Sequence, residues 1–255
     1  MQESSVPPRR FPGPRTWLPA LGILCVLVTP PAPPAAAAEA VVSPSIAGIL
    51  QHLTGVGAYT PSDAIALVVP DRADRGERVP VTVHVRDRAV DALFVFVESA
   101  AEPLALHLWL TDGVTPRIVT RVRLCRTGRV VAVAQTAEGL IGTARTVYLG
   151  ARARCAPAAE VVDGGGTLQV RTRVRSRRGR VRLRTRVAPP RPPGTRLASL
   201  SLHHGDEAIF QMQAGASLAA TAPLELSFTT APSAYLHLRW TDNHQRSGEH
   251  SLHLP

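Results

Sequence analysis

Val79, Val81, Val83 and Val85 alternate with Pro80, Thr82 and His84. A period of two sends successive side chains to opposite faces of an extended chain, so this stretch reads as a strand with one face in a core. The signal recurs at short spacing. Leu104, Leu106, Leu108 and Leu110 alternate, and Ile118, Thr120, Val122 and Leu124 share a face opposite Arg121 and Arg123. Residues 65–69, 130–134 and 143–149 are short apolar stretches bounded by turn residues. Residues 93–97 (LFVFV) are apolar throughout, as expected of a strand covered on both faces. Short strands in this rhythm predict a β-sandwich.

The one helical signal precedes them. Ser43-Pro44 is followed by Ile46, Ile49, Leu50 and Leu53, then Gly55. Ser43 suits an N-cap, Pro44 the first helical position and Gly55 the stop. A second β region begins near residue 170. VRTRVRSRRGRVRLRTRV (170–187) reads as a hairpin turning at Arg178-Gly179. Val170, Thr172 and Val174 share one face with Val181, Leu183, Thr185 and Val187. Arg171, Arg173, Arg175, Arg180, Arg182 and Arg184 fill the other. Strands at 197–202, 208–213, 224–229, 235–240 and 250–254 complete a second sandwich. The expected fold is all-β: two tandem immunoglobulin-like sandwiches, 41–150 and 167–255, joined by a linker at 151–166. No internal repeat of fixed period is visible.

All 29 basic residues are arginine, and the net charge is +10. No helix carries a basic face and no aromatics interleave with the charges, so nucleic acid is not an expected partner. Residues 1–40 read as an export signal. Arg9-Arg10 leads a short apolar run from Trp17 to Val28, and the alanines at 35–38 precede a cleavage site. The run is too short to span a bilayer, which takes about 20 apolar residues. The adjacent arginines allow a twin-arginine route. The mature protein is expected in the periplasm, soluble, with no stable membrane insertion. Of the three cysteines, Cys25 falls inside the signal, leaving Cys125 and Cys155 in an oxidising compartment.

Cys155 sits in LGARARCAP, just past the last strand of the first sandwich. The residues alone leave two alternatives. Counting favours a disulfide to Cys125. A reactive thiol is the other, since Arg152 and Arg154 beside it favour the thiolate. The nine arginines between 171 and 186 also carry two readings. They form a landing surface for an acidic partner, or a solvated edge whose charges oppose sheet aggregation. His203, His204, Asp206, His237, His244, His250 and His253 fit no closed metal set, and no metal or cofactor is expected. No nucleophile elbow, P-loop, dinucleotide fingerprint or metalloprotease motif is present, so an autonomous enzyme is not expected.

Three stretches of the first half resemble the sulfur carrier family SoxY: VVPDRADRGERVPVTV, FVFVESAAEPLA with its glutamate before a proline turn, and TRVRLCRTGRVVAVAQTAEGLIGTAR. The second half resembles the partner family SoxZ through VRTRVR, LSLHHGDEAIF and LRWTDNHQRSGEHSLHL. The chain is thus similar to a SoxYZ fusion, a type that also occurs beside quinoprotein dehydrogenases. The resemblance implies a non-enzymatic carrier of thiosulfate oxidation. A cysteine in a Gly-Gly-Cys-Gly-Gly arm would hold a sulfur or sulfonate intermediate for partner Sox enzymes. Cys155 occupies that position, flanked by Arg154 and Ala156 where the family has glycines. The alternative function is non-covalent service to an exported quinoprotein dehydrogenase or cytochrome through the arginine face.

Overall fold

The computed structural model describes residues 43–86, 89–112, 114–150, 168–177, 180–188, 195–220, 222–229 and 235–254. The signal segment, Cys25 and the linker with Cys155 lie outside the described residues. Helix α1 (Pro44–Thr54) runs as the capping signals dictate, with Gly55 closing it in the left-handed conformation at φ 79°. Ser43 holds extended backbone at the N-cap, but its hydroxyl makes no capping bond to a backbone N–H; it meets Ser45 Oγ instead.

The strands of the first half are β1 (Thr60–Pro61), β2 (Ile65–Val68), β3 (Arg72–Ala73), β4 (Val79–Val85), β5 (Ala92–Val97), β6 (Leu104–Leu110), β7 (Val114–Val122), β8 (Gly128–Thr136) and β9 (Gly139–Leu149). The second half supplies β10 (Gln169–Arg177), β11 (Arg180–Ala188), β12 (Leu197–His204), β13 (Glu207–Ala214), β14 (Pro223–Thr229), β15 (Tyr235–Asp242) and β16 (Ser247–His253). They form two sheets, and both sheets run through both halves. The larger is ordered β1-β9-β8-β5-β6-β13-β12-β15-β16, with β3 also on β9; the smaller is β10-β11-β14-β7-β4-β2.

The halves therefore meet edge to edge in each layer. In one layer β6 pairs antiparallel with β13 from Leu110 opposite Phe210 to Leu106 opposite Ala214. In the other, β14 pairs with β7, Glu225 standing opposite Val119. The segment after β13 closes the seam: Ser217 Oγ donates to the Glu102 carbonyl at 2.7 Å, and the Arg123 N–H donates to the Ser217 carbonyl at 2.8 Å. One apolar core fills the space between the sheets and includes Val81, Leu106, Ile118, Leu183, Phe210 and Phe228 from both halves.

A second, smaller core lies on the other face of the large sheet. Ile46 and Leu50 of α1 pack there on Phe94, Phe96, Val131 and Val133. This explains why all six residues of β5 are buried, as the unbroken apolar run predicted.

Candidate functional site

The linker leaves the first half at a firmly anchored point. The Leu149 N–H donates to Thr127 Oγ1 at 3.0 Å. β3 pairs in parallel with Tyr148 and Leu149, and the Gly150 N–H donates to the Ala73 carbonyl at 3.1 Å. The same stretch ties down the end of β7, since the Leu124 N–H donates to the Gly76 carbonyl at 2.7 Å. Only glycine fits at 76, because a Cβ there would collide with the Leu124 carbonyl. The turn holding Cys125, Arg126 and Thr127 thus lies beside the exit of β9. The sequence put Cys125 at a strand end and offered no way to bring it near the linker; the pairing of Gly128 with Val147 supplies one.

Cys125 is exposed and is held in a disulfide. Its partner lies outside the described residues, as does Cys155. Cys155 is five residues beyond Gly150.

One of the two glutamates of FVFVESAAEPLA, Glu98, occupies a built position next to this turn. Glu98 receives two hydrogen bonds from the Arg129 guanidinium, the Nε one at 2.7 Å. The Glu98 N–H donates to the Arg129 carbonyl at 3.0 Å. The Arg129 hydrogen bond holds the Glu98 carboxyl below its ordinary value against the opposing effect of burial. Arg126 Nε donates to the Ser99 carbonyl at 2.9 Å, so the hairpin end after β5 braces the Cys125 turn. The resemblance marked this segment by a glutamate before a proline turn and did not single out Glu98. Arg126, Arg129 and Thr127 were missed, because their partners are 22 to 31 residues away and no local pattern marks them.

The arginine hairpin forms as read. β10 and β11 pair without a bulge, placing Arg171 opposite Arg186, Arg173 opposite Arg184, Arg175 opposite Arg182 and Arg177 opposite Arg180. All eight are exposed, while Val181, Leu183, Thr185 and Val187 point into the core. Arg117 and Arg121 of β7 extend the positive surface across the sheet. Glu225 is the only carboxylate carried by the strands of this sheet. It lies 3.5 Å from Arg182 and 3.8 Å from Arg117, which leaves most of the charge unmatched on these strands.

The WTDN segment of the second half is built for structure. Asp242, 3% exposed, accepts from the His244 and Arg246 N–H groups at 2.8 and 3.0 Å and from Arg246 Nε at 2.8 Å. Burial acts to raise its pKa, but the three hydrogen bonds and the Arg246 charge together hold it below the ordinary value. Asn243 Oδ1 accepts from the Arg196 N–H at 2.8 Å. Among the described residues, no cluster of three or more His, Cys, Asp or Glu has metal-binding geometry, and no helix is long and apolar enough to cross a membrane.

Residues 50–150 match the family described as sulfur oxidation protein SoxY. A comparison with curated proteins finds no match. Among solved structures, the sulfur carrier protein SoxY from Chlorobium limicola f thiosulfatophilum is similar at 25% identity, over 36% of this chain and 84% of that one, with a TM-score of 0.34. A marsupial T cell receptor aligns at 6% identity over 74% of this chain and 98% of its own (TM-score 0.25). Chimeric titin Z1Z2 aligns at 16% identity over 75% and 95% (TM-score 0.25). The family match runs from within α1 to the residue after β9, so it takes in the Glu98–Arg129 pair and the Cys125 turn and stops at the root of the linker.

Proposed function

We propose that this protein, whose residues 50–150 are a SoxY family domain, is an exported, non-enzymatic carrier in sulfur oxidation. In this reading Cys155 holds a covalent sulfur or sulfonate intermediate and presents it to periplasmic Sox enzymes. Residues 167–255 serve as a fused SoxZ-like partner. One observation carries the reading: the family match and strand β9 both end at the anchored point from which Cys155 is five residues away.

Carrier chemistry needs a thiolate that a partner can reach. Arg152 and Arg154 favour the thiolate and would attract an anionic sulfonate adduct. The disulfide at Cys125 fits the scheme as a resting form. Removal of the signal would leave Cys155 as the only other cysteine, and reduction would free it for loading.

The test is the intact mass of the exported protein before and after mild reduction, with peptide mapping. The expected result is a sulfur or sulfonate adduct on Cys155 that reductant removes and that Cys155→Ser never shows. A Cys125–Cys155 bond that persists under mild reductant, with no adduct in any preparation, would overturn the carrier role.

The arginine face supports a second reading, a non-covalent accessory to an exported quinoprotein dehydrogenase or cytochrome. Eight outward arginines against Glu225 make a surface that steers an acidic partner. Partner binding that weakens steeply with salt and survives Cys155→Ser would favour it.

A further inference from the structure

We propose that the groove between β2 and the outer edge of β9 binds a small organic anion, an apolar body ending in a carboxylate or sulfonate. This site is independent of the carrier role of Cys155.

The groove exists because one edge of β9 is covered at both ends and open between. β1 pairs with Ile141 and Gly142, and β3 with Tyr148 and Leu149. On that edge the Gly142 carbonyl accepts from Ser62 at 3.0 Å, and the N–H groups of Tyr148 and Gly150 donate to Asp71 and Ala73. Alternate residues of a strand direct their backbone groups the same way, so Ala144 and Thr146 direct theirs into the gap. Facing the gap is β2, the last strand of the smaller sheet, with Val68 64% exposed. The space is about 890 Å³, within the range of small-molecule sites.

Its walls divide by chemistry. Tyr59, Leu67, Val68 and Ala144 supply apolar surface, and Arg86, Arg129 and Arg145 supply charge. Asp63 is the only carboxylate among the lining residues, so the balance is positive. Arg129 is fixed by Glu98. Among the described residues, Arg86 and Arg145 have no ion pair or side-chain hydrogen bond, and both are exposed at the rim, ready for an anionic group. Tyr59 lies flat against Gly142, where a Cβ would strike its ring. Its hydroxyl feels both Arg129 and Glu98, and burial raises its pKa, so it remains a protonated donor. The apolar part of the lining and the volume suit an organic anion better than bare sulfate, which has nothing to set against Val68 and Ala144.

The test is titration of the full mature chain with benzenesulfonate and benzoate at constant ionic strength, by calorimetry and NMR. Benzylamine serves as the cationic control and sulfate as the bare anion. Saturable 1:1 binding of the two organic anions is expected, with sulfate weaker and benzylamine absent. Arg86→Gln and Arg145→Gln should each weaken binding about tenfold or more, the usual scale for a charged hydrogen bond. The double variant Arg173→Gln/Arg184→Gln on the remote hairpin should leave affinity unchanged. Absence of saturable binding would overturn the proposal. So would binding lost in the hairpin variant and retained in both groove variants, the mark of diffuse attraction to a basic protein.

Discussion

Both ring nitrogens of His107 are buried without a hydrogen-bond partner among the described residues; the ring stacks on Phe94 at 4.4 Å between centroids and lies tilted against Trp109 at 3.6 Å. Burial lowers its pKa to about 4. The folded state thus favours the neutral ring. That contribution is complete above the unfolded value near 6.5 and is lost as the pH falls from there to about 4. His107→Leu should flatten this acid limb of the stability curve and raise stability at neutral pH by about 1 kcal/mol, since it removes an unsatisfied buried group. Denaturant melts between pH 4 and pH 7.5 measure both effects; an unchanged acid limb in the variant would refute the assignment. Alternation in β6 put Leu106 and Leu108 inward and His107 outward. It could not show that the outward face lies under a second core, because that depends on where α1 docks.

The arginine hairpin is a local element, and its register was legible from the sequence because turn and alternation agree. Its energetics follow from that register. Four pairs of like charges stand directly opposite one another, an arrangement that opposes pairing. Added salt should therefore stabilise the protein, by screening exposed charges. Arg173→Glu, facing Arg184, should raise stability by about 0.5–1 kcal/mol at low salt and by less at high salt. A destabilised variant would mean that the face is already neutralised by something bound. The two-residue strands β1 and β3 escaped the sequence reading, since neither is long enough to show a period. The groove, which exists only between them, escaped with them.

At the scale of the whole molecule, both sheets run through both halves. A seam of this kind couples the halves, so one cooperative transition is expected. Trp109 and Trp240, reported separately through Trp240→Phe and Trp109→Phe, should show the same midpoint. Gly215 is the sensitive point, because a Cβ there would enter the Leu104 carbonyl. Gly215→Val should lower both midpoints together by the equivalent of about 2–4 kcal/mol. Two separated transitions would disprove the coupling. The sandwich-like all-β fold was legible, because each strand carries its own alternation. The union of the halves was not, since β6 and β13 are about a hundred residues apart and nothing in either names its partner.

Had the halves been separate polypeptides, the pairing of β6 with β13 would be a second-order event, governed by how much of each partner the compartment held. Within one chain it is first-order. The seam forms at a local concentration set by the linker and does not dissolve on dilution. Stoichiometry is one to one by construction, and neither half ever waits with a bare sheet edge for the other to arrive.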